Sequence, residues 1–130
     1  MAKSSSTMPY CIEHKRELND VEREILYYLV RDSGLHEYES QIQELKIIAR
    51  CGCGSCPTVL FGNTFESKPA EPSSDLARYM GMSSNGTTVG IALMGTETKL
   101  TELEAWSCCG GEFDTWPDIS TFVNMNNLHT

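Results

Sequence analysis

Apolar positions recur at helical spacing early in the chain and at strand spacing later. Leu18, Val21, Ile25, Tyr28 and Leu29 fall on one stripe of a 3.6-residue period, which predicts an amphipathic helix over 20–32. Asn19 stands where an N-cap belongs, and Glu22 follows three positions later, the pattern of a capping box. Asp20, Glu22 and Glu24 lie at the positive end of that helix's dipole. Ser33-Gly34 supplies the stop, with Gly34 suited to the left-handed position beyond the last turn. Leu35, Tyr38, Ile42 and Leu45 give a second, shorter helix over about 36–44 a ragged apolar face.

The period then shortens. Residues 46–50 and 58–61 read as two short strands. Between them Cys51-Gly52-Cys53-Gly54-Ser55-Cys56-Pro57 carries two glycines and a proline, which predicts a hairpin connection. Residues 66–75 hold Pro69, Pro72 and many polar groups and read as a loop. Three further strands are predicted over 77–82, 87–94 and 99–107, with a type I′ turn at Asn85-Gly86. Val89, Ile91 and Leu93 share a face of the second. In the third, Leu103 and Ala105 face one way and Leu100, Glu102, Glu104 and Trp106 the other. A last helical turn is expected near 118–124. Residues 1–13, with Ser4-Ser5-Ser6-Thr7 and Pro9, read as a flexible arm before a single domain over 14–130. Helices followed by a run of strands predict an α+β fold. N-terminal helices would pack on one face of an antiparallel sheet of about five strands.

Charge narrows the partners. The chain has 130 residues and a formal net charge of −8, with 18 acids against 10 bases. No basic cluster exceeds Lys15-Arg16, so direct binding of nucleic acid or of anionic lipid is not expected. A cationic partner is favoured instead. The imbalance is uneven: residues 1–50 hold seven bases and nine acids, residues 51–130 three bases and nine acids. The longest apolar run, Ile25 to Val30, is far short of the about 20 residues of a membrane-crossing helix. The N-terminus has no apolar core of a secretory signal, so a cytoplasmic location and reduced thiols are expected.

Six cysteines then invite a metal reading. Cys51, Cys53 and Cys56 supply three local thiolates for zinc, and a fourth ligand would come from Cys108, Cys109 or His36. A meander, however, separates the 51–57 turn from the end of the last strand by four strands, about 19 Å. The competing reading makes these cysteines small apolar side chains in a tight turn. Cys53-Gly54-Ser55-Cys56 also fits a redox spacing, but a strand rather than a helix follows it, so no dipole lowers a thiol pKa. Neither a nucleophile elbow nor a metalloprotease His pair nor a phosphate-cradling loop occurs. Glu102 and Glu104 on one strand face read as solvated or partner-facing groups rather than an acid/base pair. The expectation is a non-enzyme without a required cofactor, zinc being the single candidate.

Two segments carry a resemblance. Arg50-Cys51-Gly52-Cys53-Gly54-Ser55-Cys56-Pro57-Thr58-Val59 is one. Leu100-Thr101-Glu102-Leu103-Glu104-Ala105-Trp106, followed by Trp116-Pro117-Asp118, is the other. Together they resemble small bacterial proteins with a Cys-Gly-Cys hairpin and an L-x-E-L-E strand behind an N-terminal helix. Such proteins look like immunity proteins of contact-dependent growth inhibition and other polymorphic toxin systems. The resemblance implies a protein that binds and occludes a cognate toxin domain, a cationic nuclease being the class that an acidic surface would meet. The contact residues expected on this reading are Glu97, Glu102, Glu104, Glu112, Asp114 and Asp118, with Trp106 or Trp116 as aromatic anchor. The alternative is a zinc-stabilised interaction module built on Cys51, Cys53 and Cys56.

Overall fold

The computed structural model describes residues 11–53, 56–69, 73–108, 113 and 115–125. The strands are β1 (Cys11–Glu17), β2 (Lys46–Cys51), β3 (Val59–Gly62), β4 (Ser74–Met82), β5 (Thr88–Gly95), β6 (Leu100–Ser107) and β7 (Val123–Asn124). All belong to one antiparallel sheet in the order β1-β2-β3-β6-β5-β4-β7. Helix α1 (Asp20–Asp32) and a 3₁₀ helix (His36–Glu44) lie between β1 and β2 in the chain. The α+β class expected from the element pattern is thus present, with seven strands in place of five.

Helix α1 starts and stops as its sequence dictates. The Glu22 N–H donates to Asn19 Oδ1 at 2.8 Å, and Glu22 Oε1 accepts the Asn19 N–H at 3.0 Å. At the other end Gly34 takes φ +73°. Its N–H reaches the Arg31 carbonyl, and the Leu35 N–H reaches that of Val30, so the last carbonyls are satisfied in a Schellman motif. The buried stripe is Glu22, Ile25, Leu26, Leu29 and Val30. Val21, which the spacing had placed inward, is exposed. The i, i+3, i+4, i+7, i+8 series therefore begins on a glutamate.

That stripe, with Tyr38 and Ile42 of the 3₁₀ helix, packs against Ile47, Val59, Phe61, Tyr79, Ile91, Leu93 and Leu103 on one face of the sheet. The Tyr79 hydroxyl ties three elements together. It donates to Asp32 Oδ2, contacts Ser33 Oγ at 2.8 Å and accepts from Asn124 Nδ2 at 3.1 Å. The other face carries a smaller apolar cluster of Ile48, Ala49 and Leu60, with Cys11 against it and no helix residue in it.

Four expectations are corrected. Residues 11–13, assigned to the flexible arm, begin β1, whose mixed CIEHKRE pattern carries no apolar alternation because it is an edge strand. Residues 1–10 lie outside the described residues. The 83–87 turn is not type I′, since Gly86 alone has positive φ. Its N–H reaches the Ser83 carbonyl at 3.0 Å, as in a type I turn closed by a left-handed glycine. Leu100 joins the helix-side core rather than the opposite face, because the β5–β6 register shifts between Met94 and Gly95. Finally, the meander assumed in weighing the zinc site does not hold, a different strand order being the one present: β3 pairs with β6, through Val59↔Leu103 and Leu60↔Glu102. The 118–124 segment forms a 3₁₀ turn over Ile119–Thr121 and then β7. Among the described residues no helix is long and apolar enough to cross a membrane.

Candidate functional site

The face opposite the helices collects chemistry in three rows. Residues paired across β6, β5 and β4 point to the same side. Glu102, Met94 and Asp75 form one row; Glu104, Ala92 and Arg78 the next; Trp106, Gly90 and Met80 the third. The indole of Trp106 lies directly on Gly90, where a Cβ would sit 2.2 Å from the ring. Arg78 stacks over that indole at 5.2 Å and donates to Asp75 Oδ2 at 2.7 Å. The guanidinium is thus held between an aromatic face and one carboxylate.

Glu102 is different. It is 3% exposed, and its carboxyl accepts no hydrogen bond from any described residue. Burial, with the neighbouring charges of Glu104 and Asp75, pushes its pKa up to about 8. Glu104 is also raised, by burial and by Asp75, with Arg78 opposing. Three carboxyl groups therefore share one face with one guanidinium, and the most buried of them has no donor among the described residues.

The remaining residues of the acidic set do not converge on this patch. Glu97 sits in the β5–β6 turn and is exposed. Asp118 is exposed near the opposite end of β4; it caps the 3₁₀ turn by accepting the Ser120 N–H, which holds its carboxyl below the usual range. In that turn Thr121 accepts the Met82 N–H. Glu112 and Asp114 lie outside the described residues. Trp116 packs against the helix-side core, so Trp106 is the aromatic residue that shares a face with Glu102 and Glu104.

The cysteine turn is a second site. The Sγ atoms of Cys51, Cys53 and Cys56 lie within 4.8 Å of one another. Those of Cys53 and Cys56 are 3.3 Å apart. Burial and the adjacent thiols raise the Cys51 thiol to about 12. The strand order overturns the about 19 Å separation that a meander implied, since β3 and β6 are neighbours. Cys108 is nonetheless not among the gathered thiols, and neither is His36. Cys109 lies outside the described residues.

One feature escaped the sequence reading. A cleft of about 450 Å³ is lined by His14, Arg16, Glu22, Arg50, Cys56 and Trp116. Arg16 is committed within it, both Nη atoms reaching Glu22 at 2.8 and 2.7 Å. His14 accepts from Arg16 Nε, and burial with the Arg16 and Arg50 charges lowers its pKa. The residues come from β1, α1, the β2–β3 hairpin and the C-terminal segment, and no local spacing announces such a meeting.

No protein-family model matches this chain, and no curated protein or solved structure is significantly similar to it.

Proposed function

We propose that this is a non-catalytic, cytoplasmic bacterial protein that binds and occludes a cationic toxin domain, as the resemblance to immunity proteins implies, and that it docks through the face opposite the helices. The observation that supports this reading is Glu102: its side chain is nearly buried, no described residue donates to its carboxyl, and the carboxyl oxygens keep a small opening to solvent. Burial of such a group beside other acids costs stability, and such groups concentrate where function requires them. A lysine or arginine side chain from a partner, entering beside Glu104 and Asp75, would supply the missing donor and draw the Glu102 proton off. Trp106 and the exposed Met82 offer apolar surface on the same face. The dispersed acids, Glu97 and Asp118 among them, would serve a different purpose: they set the long-range field that speeds encounter.

The partner to test is a toxin domain encoded immediately upstream of this gene. A one-to-one complex is expected by size-exclusion chromatography and calorimetry, with association slowed by added salt. Glu102→Gln should weaken it at least about tenfold, the loss of a charge-assisted contact. Failure of the wild-type chain to bind or protect against that domain would remove the immunity reading. Unchanged affinity in the variant would move the interface elsewhere.

A further inference from the structure

The three gathered thiols need an explanation that the docking face does not provide. In a packing role cysteines sit in the apolar core, yet Cys51, Cys53 and Cys56 belong to neither apolar cluster. Cys53 is exposed. Neutral thiols are weak hydrogen-bond donors and acceptors, so their mutual contacts contribute little that would draw three of them together.

The backbone, in contrast, is arranged around sulfur. The Cys53 N–H points at Cys51 Sγ at 3.4 Å, and the Cys56 N–H at Cys53 Sγ at 3.3 Å. Such donors stabilise a thiolate and fix where its sulfur points. The turn itself is anchored. The Cys51 N–H bonds the Thr58 carbonyl, and Thr58 Oγ1 both accepts the Ala105 N–H and donates to the Ala105 carbonyl. The turn therefore hangs from β2 on one side and from β6 on the other.

We infer that Cys51, Cys53 and Cys56 form a three-thiolate site for a zinc ion, with a fourth position open to solvent. Zinc–thiolate bonds of about 2.3 Å at tetrahedral angles set sulfurs about 3.8 Å apart, inside the spread already present. The donor set is all sulfur, which selects soft cations over magnesium or calcium. Each thiol releases its proton to solvent as its sulfur binds, and no electron transfer is involved. Among the described residues no fourth ligand joins the group, Cys108 standing outside it and Cys53 being exposed, which supports the open position. This site is independent of toxin binding.

The test uses the full chain, reduced with a phosphine, and cobalt(II) as the probe. One cobalt per chain is expected, with thiolate-to-metal charge transfer and the intense visible bands of tetrahedral geometry, both lost when zinc is added. Cys53→Ser should lower the affinity at least about a hundredfold, since groups that merely orient ligands are worth 10–100-fold. Cys53 is exposed, so the fold is expected to survive, as far-ultraviolet circular dichroism will check. The double variant Cys108→Ser, Cys109→Ser should bind as the wild type does. A second readout needs no variant: zinc should protect Cys51, Cys53 and Cys56, and no other thiol, from alkylation mapped by peptide. Absence of the tetrahedral spectrum, or protection of other cysteines instead, would overturn the site. Equal loss of affinity in the double variant would overturn the open fourth position.

Discussion

Two glutamates of this protein are equally buried and oppositely furnished. Glu22 at the start of α1 is 2% exposed, and Glu102 in the middle of β6 is 3% exposed. Glu22 receives two N–H groups from Arg16 and the backbone N–H of Asn19. Glu102 receives none from the described residues and faces two further acids. Burial alone therefore says nothing about what a carboxylate does. Where donors surround it, the charge is part of the scaffold; where they are missing, burial holds the proton on the carboxyl, and the proposed docking face gives that group a role.

The largest effect that would break this contrast is expected at Glu22. Glu22→Ala leaves Arg16 without its carboxylate partner and removes the reciprocal cap of α1, a loss of about 3 kcal/mol in urea denaturation at constant slope. A near-neutral result would mean that the ion pair is decorative. Next comes Glu102→Gln, with the opposite sign. As pH rises from the ordinary glutamate range to about 8, the unfolded chain ionises while folded Glu102 keeps its proton. The wild type should thus lose stability across that window and level off above it. The variant should lack this slope and gain about 2 kcal/mol at pH 7, the gain vanishing below pH 4. A variant less stable than the wild type at pH 7 would show that the Glu102 carboxylate has a donor after all. The smallest effect concerns the setting of that carboxyl. Gly90→Ala drives a methyl into the Trp106 ring, so the indole must lift and Arg78 must leave it. A cost of about 1–2 kcal/mol with altered tryptophan fluorescence is expected. Unchanged fluorescence would release Trp106 from its place on the sheet.

The sequence made the local devices legible and the long-range ones not. The Asn19–Glu22 capping box and the Gly34 stop are encoded within a few residues, and the structure contains both. The β2–β3 hairpin was equally visible in its glycines and proline. Invisible was β1, because an edge strand needs no apolar alternation. Invisible too was the β3–β6 pairing, since nothing in a strand's own residues names its neighbour. That one missed pairing misplaced the cysteine turn by several strands. The site residues divide along the same line. Glu102, Glu104 and Trp106 were recognised as one strand face, from period two alone. That Glu102 is buried and flanked by Asp75 depends on β4 and β5, which the strand face alone does not specify.

The β3–β6 pairing has a consequence for the order of folding. The β2–β3, β4–β5 and β5–β6 ladders each join strands that follow one another in the chain and can zip early. Val59↔Leu103 and Leu60↔Glu102 instead close a loop of more than 40 residues and hold the two halves of the sheet by a short seam. Folding is expected to finish there, with the seam weakly formed in the transition state and Leu60→Ala speeding unfolding far more than it slows folding. Glu102 would then lose its water in the last step, after the rest of the sheet is able to hold it.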